Sequence, residues 1–292
     1  MSDNLRLMAV LAHPDDESLG LGGTLARYAS EGVQTFLVTA TRGENGRHGL
    51  SRSNSPHQLG RVREAELLAA SRVLGISEVH FLNYMDGGLD RVDPLEAVRK
   101  IASHIRRLRP HVVLTFGPEG AYGHPDHIAI SQLTTSAVVY AAYQQGVERR
   151  SRTSDYPPYQ VAKLYYIAWT RKKWDAYQAA LKKLTSTVDG VERQVAPWPD
   201  WAVTTVIDTA KYWPTVWRAV SCHDSQVSVY QNLHELPAEQ HQAIWGTQEF
   251  YRAFSLVNGG RQVESDLFEG LRERDAKMES SDETREWTGT AP

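Results

Sequence analysis

A chain of 292 residues is long enough to bury one large α/β core, and its single cysteine, Cys222, excludes an intrachain disulfide and a thiolate metal cluster. A net charge of −3 gives no electrostatic reason to expect nucleic acid or an anionic membrane as partner. No apolar run approaches the roughly 20 residues needed to span a bilayer, and Met1–Asn4 lacks the basic start of a leader, so a cytoplasmic protein is expected.

Leu5 to Ala12 is almost wholly apolar, the pattern of a strand buried on both faces of a parallel sheet. Gly23 to Glu31 has apolar positions at helical spacing, and Val33 to Thr41, rich in β-branched residues, predicts a second strand. A polar loop over Arg42 to Gly60 precedes a helix over Arg61 to Leu74. A short strand follows at Val79 to Leu82, then a helix over Pro94 to Leu108 with proline in its first turn. His111 to Phe116 is the next strand, stopped by Gly117-Pro118, and His124 to Tyr143 the next helix. This alternation predicts an α/β fold, a doubly wound and mostly parallel Rossmann-like sheet.

The second half has weaker signals. Ser151 to Tyr159 is a polar, proline-containing connector, Val161 to Trp169 a strand, and Lys172 to Lys183 a helix. Ala202 to Ile207 and Phe250 to Val257 are expected as strands, Thr209 to Ser221 and Pro237 to Ile244 as helices. We expect a catalytic core over 1–150, a C-terminal part over 151–262 that completes the same domain and shapes its pocket, and a charged tail over 263–292. The composition of the last fifteen or so residues reads as disordered.

Two motifs carry the chemistry. Ala12-His13-Pro14-Asp15-Asp16-Glu17 follows the first strand, and Gly123-His124-Pro125-Asp126-His127 follows the fourth. Imidazole and carboxylate groups suit Zn²⁺ or a similar divalent ion, and two strand ends could supply three ligands while leaving a position open. Ligands in doubly wound sheets bind outside the carboxyl ends of the strands, where both motifs fall. The bland alternative for either motif is a polar turn with hydrogen-bonded side chains. Gly20, Gly22 and Gly23 suggest a dinucleotide loop, but Leu25 stands where that fingerprint needs glycine or alanine; helix–sheet packing is the better account.

Together with Thr41-Arg42-Gly43-Glu44 after the second strand, these motifs make residues 5 to 145 resemble the LmbE-like, or PIG-L, deacetylases. Beyond residue 150 the likeness is scattered, as at Cys222-His223-Asp224-Ser225-Gln226. The resemblance implies a metal-dependent hydrolase that removes acetyl groups from N-acetylglucosamine conjugates, with a small acetamido sugar or glycoconjugate as partner. It implies His13, Asp16 and His127 as metal ligands, with Zn²⁺ as default and Fe²⁺ or Co²⁺ as substitutes.

Asp15 matches the family's general base, a role open to a carboxylate beside a ligating one. His124 matches an oxyanion or proton-transfer group, with Asp126 as the neighbour that would raise its pKa and orient it. Tyr122 matches a hydrogen-bond donor to the oxyanion. Arg42, Glu44, Arg63 and Asp86 match positions that grip sugar hydroxyls, although surface salt bridges would explain all four as well. Cys222 and His223 read as packing or supporting residues. Two rivals remain: an amidase of a non-sugar or thiol-conjugate amide, and a non-catalytic carbohydrate-binding protein with a relic site. A homo-oligomer stays open.

Overall fold

The computed structural model describes residues 5–46, 55–143, 156–181, 184–188, 190–226, 232–260 and 262–272. Much of the expected polar loop, the start of the Ser151–Tyr159 connector and most of the expected tail lie outside them. Five parallel strands form the first part of the sheet: β1 (Arg6–Leu11), β2 (Gln34–Thr39), β3 (Glu78–Phe81), β4 (Val112–Phe116) and β5 (Lys163–Ile167). A small antiparallel hairpin, β6 (Ser186–Val188) and β7 (Val191–Arg193), stands apart. β8 (Thr205–Asp208) and β9 (Thr247–Ser255) then complete a seven-stranded sheet in the order β3-β2-β1-β4-β5-β9-β8, with β9 antiparallel to both neighbours. The mostly parallel α/β expectation holds.

Strand β1 is the centre of the core: Leu7 through Leu11 are wholly buried, as its continuous apolar run requires. Helices α1 (Asp16–Ser30), α2 (Pro56–Leu74) and α7 (Trp213–Val220) pack together, as do α3 (Pro94–Leu108) and α5 (Pro125–Ala142). α4 (Gly120–Gly123) is a single kinked turn ahead of α5. α6 (Arg171–Leu181) and α8 (Ala238–Trp245) bury Trp174, Tyr177 and Trp245 in a second apolar cluster with Val216 and Val220 of α7. None of the helices described is long and apolar enough to cross a membrane.

Two helices begin a full turn or more earlier than expected, for different reasons. α2 starts at Pro56, not Arg61, because Ser55 and Gln58 form a capping box and proline suits the first helical position. α1 starts inside the first motif, at Asp16, so its glycines are helical. They serve packing: a Cβ on Gly23 would lie 2.6 Å from Thr209 Cβ. The β6–β7 hairpin was not expected, although Asp189-Gly190 between its strands is a strong turn signal.

The C-terminal segment is fastened to the sheet by a buried network. Glu264, 2% exposed, accepts from Lys163 Nζ (2.7 Å), Tyr165 hydroxyl (2.7 Å), Thr205 hydroxyl (2.7 Å) and Asn258 amide (2.5 Å), and pairs with Arg252 (2.8 Å).

Strand order reverses between β1 and β4. β1 leads by way of α1 to β2 on one side, whereas β4 lies on its other side with Ala9 opposite Leu114. The crevice of a doubly wound sheet opens at such a reversal. His13 leaves the carboxyl end of β1, and the second motif follows β4.

Candidate metal centre

The two motifs meet across this reversal. His13 Nδ1 lies 3.3 Å from His127 Nε2 and 3.7 Å from Asp16 Oδ2, and His127 Nε2 lies 3.4 Å from Asp16 Oδ1. Two ligand atoms on a tetrahedral ion, each bonded at ~2.1 Å, sit about 3.4 Å apart, so these spacings suit one cation. Locally, Asp16 is the first residue of α1 and its Oδ2 accepts the N–H groups of Ala12 (3.2 Å) and His13 (2.8 Å). His127 stands in the first turn of α5, stacked on Phe116 at 4.0 Å.

The chemistry of the donors also fits a metal. His13 Nε2 faces two carboxylates, Asp86 Oδ1 at 3.0 Å and Asp126 Oδ2 at 3.1 Å. In the neutral ring those contacts would place the imidazole proton on Nε2 and turn the Nδ1 lone pair toward the cluster. Burial alone would lower the His13 pKa, but Asp126, Asp86 and Asp16 outweigh it and raise it to about 10. Burial likewise works against ionised Asp16, yet His127 and His13 hold its carboxyl well below the usual range. Asp86, opposed by burial and helped by His13, is held at about 2. Buried carboxylates around facing imidazoles make a pocket that favours a cation. Among the described residues, His13, His124 and His127 form one group with ligand atoms within 4.8 Å of one another, and His13, Asp86 and Asp126 another. Asp86 and Asp126 stand on the far nitrogen of His13, whereas Asp16 and His127 face its Nδ1.

Asp126 corrects one expectation. Its fully buried carboxylate pairs with His13, and it accepts the N–H groups of Gly87 (2.7 Å) and Leu89 (3.0 Å), rather than holding the His124 ring. His124 meets Asp126 through the backbone alone: its Nδ1 accepts the Asp126 N–H at 3.2 Å and caps α5. That bond assigns the proton of the neutral ring to Nε2. Burial, His127 and His13 lower the His124 pKa to about 3 and outweigh the upward pull of Asp126. Tyr122 packs edge-on to His127 (5.2 Å) and His124 (5.9 Å). Burial, and then Asp16, Asp15 and Asp86, keep its phenol protonated.

Asp15 has a left-handed backbone, φ 102°, uncommon for a residue with a side chain. Several bonds hold it there. Its N–H donates to Glu17 Oε2 (2.9 Å), and its carbonyl accepts from Ser18 (3.1 Å) and Leu19 (2.9 Å). Arg63, itself buried, donates from Nη2 to Asp15 Oδ2 (2.9 Å) and to the Pro14 carbonyl (2.5 Å), and from Nη1 to the Gly43 carbonyl (2.9 Å). Gly43 is required by this fork: its φ is +68°, and a Cβ there would sit 2.0 Å from Arg63 Nη1.

Of the four residues expected to grip sugar hydroxyls, Arg63 and Asp86 thus point inward, to Asp15 and His13. Arg42 pairs with Glu64, donates to Asn83 Oδ1 (2.6 Å) and covers Phe81. Arg42 and Glu44 line a cavity of about 250 Å³ with His57, Gly60, Arg61 and Glu64. Glu44 also accepts the Asp86 N–H at 3.3 Å. Sequence reading gave no role to Glu17, whose buried carboxylate meets His223 Nε2 at 2.9 Å across 206 positions. The only signal was the scattered likeness around His223. Cys222 is half-buried and donates to the Arg218 carbonyl (3.3 Å).

Fold and site define a doubly wound α/β protein with a cluster of histidines and carboxylates at its topological reversal that could hold a metal ion. Residues 8–138 match the family model described as PIG-L, GlcNAc-PI de-N-acetylase. A 1D-myo-inositol 2-acetamido-2-deoxy-alpha-D-glucopyranoside deacetylase of Kineococcus radiotolerans is 35% identical, over 91% of this chain and 83% of that protein. A mycothiol S-conjugate amidase of Streptomyces coelicolor is 32% identical over 94% and 99%. The crystal structure of a conserved protein from Thermus thermophilus superposes with a TM-score of 0.61 at 27% identity, covering 87% of this chain and 97% of that one. The chain belongs to the PIG-L (LmbE-like) family, and with it to enzymes that hydrolyse amide bonds.

Proposed function

We propose that this protein removes the acetyl group from an N-acetylglucosamine-type conjugate, with zinc held by His13, Asp16 and His127. The observation that carries this reading is the convergence of His13 Nδ1, Asp16 and His127 Nε2 from two distant turns, with Asp15 beside them. The Kineococcus deacetylase supports the substrate class. Fe²⁺ or Co²⁺ would accept the same ligands. When bound, the ion supplies Lewis acidity for the amide carbonyl and acidifies water beside it.

The chain's own residues handle position and protons. Asp15, fixed by Arg63, takes a proton from the attacking water. The His124 Nε2–H and the Tyr122 hydroxyl donate to the developing oxyanion. Asp15 then delivers that proton to the amine, so that water and amide become acetate and a free amino sugar. Asp126 and Asp86 orient His13. Arg42 and Glu44 border the substrate's approach, and residues 151–262 complete the same domain and shape the pocket. The reading includes a cytoplasmic setting, which suits a chain with one cysteine.

The kinship with the mycothiol S-conjugate amidase favours a second reading, hydrolysis of a thiol-conjugate amide. A panel of N-acetylglucosaminides and other acyl amides, offered with Zn²⁺, Fe²⁺ or Co²⁺ and scored by primary amine release, separates them. Amine from the acetamido sugars is expected. Release confined to the other amides would move the reading to an amidase. Sugar binding without turnover under any metal would leave a non-catalytic binding protein.

A further inference from the structure

Glu17 and His223 form a buried pair that the reaction above does not use. Both side chains are fully buried, and so is Ser18. Glu17 Oε1 accepts from the Ser18 hydroxyl (2.5 Å) and from His223 Nε2 (2.9 Å), and Oε2 accepts the Asp15 N–H (2.9 Å). His223 follows α7 and donates its own N–H to the Val220 carbonyl (3.1 Å). Its Nδ1 is buried and finds no partner among the described residues.

This arrangement is costly for a packing role. A buried ion pair with one orphaned nitrogen is seldom more stable than apolar residues of similar volume. The geometry instead serves Asp15. A left-handed backbone at a non-glycine residue persists only where its surroundings over-determine it. Arg63 fixes the Asp15 side chain, and Glu17 fixes the backbone N–H. His223, beside the Ser18 hydroxyl, supplies a donor from a distant element that keeps the Glu17 carboxylate oriented with Oε2 on that N–H.

We infer that Glu17 and His223 are positioning residues that hold Asp15 in its left-handed turn and so set the place of its carboxylate. This rests on the general-base reading of Asp15. His223→Leu removes the donor, whereas His223→Gln keeps an amide N–H at the place of Nε2. A misplacement of Asp15 by ~1 Å is expected to lower kcat by about 10²-fold, with KM within roughly twofold and metal content unchanged. His223→Gln is expected to restore most of kcat. In an Asp15→Asn background, His223→Leu should cost nothing further, because the group it positions is already gone.

Equal losses in the Leu and Gln variants, or full additivity with Asp15→Asn, would overturn the inference. If the Leu variant does not fold, His223→Asn serves instead: its amide falls short of Glu17, so it should lose turnover where Gln does not. Wild-type turnover in both would overturn the idea equally. Wild-type turnover in Asp15→Asn itself would sink the general-base reading, a result separate from any His223 outcome.

Discussion

Replacing Asp126 by asparagine tests where its carboxylate acts. Asp126 is wholly buried, with the Gly87 N–H and His13 Nε2 on Oδ2 and the Leu89 N–H on Oδ1. Asparagine keeps the shape but has one acceptor oxygen, so in either rotamer its NH₂ faces at least one N–H. One buried donor left unpaired costs about 1–3 kcal/mol of folding stability. His13 also loses one of the two carboxylates on its Nε2, and losing such a support typically weakens metal binding 10–100-fold, or about 1.4–2.8 kcal/mol. Metal affinity would be measured by competition with a chromogenic chelator, and stability of the metal-free protein by thermal unfolding. An unchanged metal affinity together with a shifted pH profile of turnover would refute this placement and return Asp126 to His124.

The remaining predictions concern the ligands, the base and the C-terminal network. His13→Ala should lose bound metal and turnover together, whereas Asp15→Ala should keep its metal and lose about 10²–10⁴-fold in kcat; equal metal loss by elemental analysis would show that the two residues do not have separate roles. Burial opposes ionised Glu264, but Lys163, Asn258, Tyr165 and Thr205 hold its carboxyl at about 2. Burial lowers the Lys163 pKa in turn, yet its 2.7 Å contact with Glu264 favours the ion pair. Because the folded pKa of Glu264 lies below its ordinary value of 4.5, its stabilisation is present above pH 4.5 and is lost as pH falls toward 2. That contribution is on the order of 3 kcal/mol. Melting temperature should therefore drop across that window in the wild type, and Glu264→Gln should start lower and fall less; parallel curves would count against the network.

What could be read in the sequence was local. His13 and Asp16 share one turn, His124 and His127 another, and the apolar run of β1 announces its burial on both faces. Partners chosen by strand order could not be read. Asp126 meets His13 only because β4 lies beside β1, and nothing in Gly-His-Pro-Asp-His distinguishes that from a bond to its neighbour His124. Asp86 and Arg63 read as exposed grips because charge alone does not tell a surface from a buried fork. Glu17 and His223 are joined by the packing of α1 against α7. The early start of α2 is legible in Ser55-Pro56-His57-Gln58, a capping signal that stands one turn ahead of the apolar period.

The reversal between β1 and β4 also bears on how the protein comes into being. During synthesis the turn bearing His13 and Asp16 emerges more than a hundred residues before His127, and it stays half a receptor until the fourth strand docks beside the first. Closing that long loop is an entropic expense shared with the whole sheet. An ion that binds only the finished cluster adds its affinity to the stability of the entire domain, not to a single loop. Depriving cells of metal would then change how much of the protein survives as well as how fast it works.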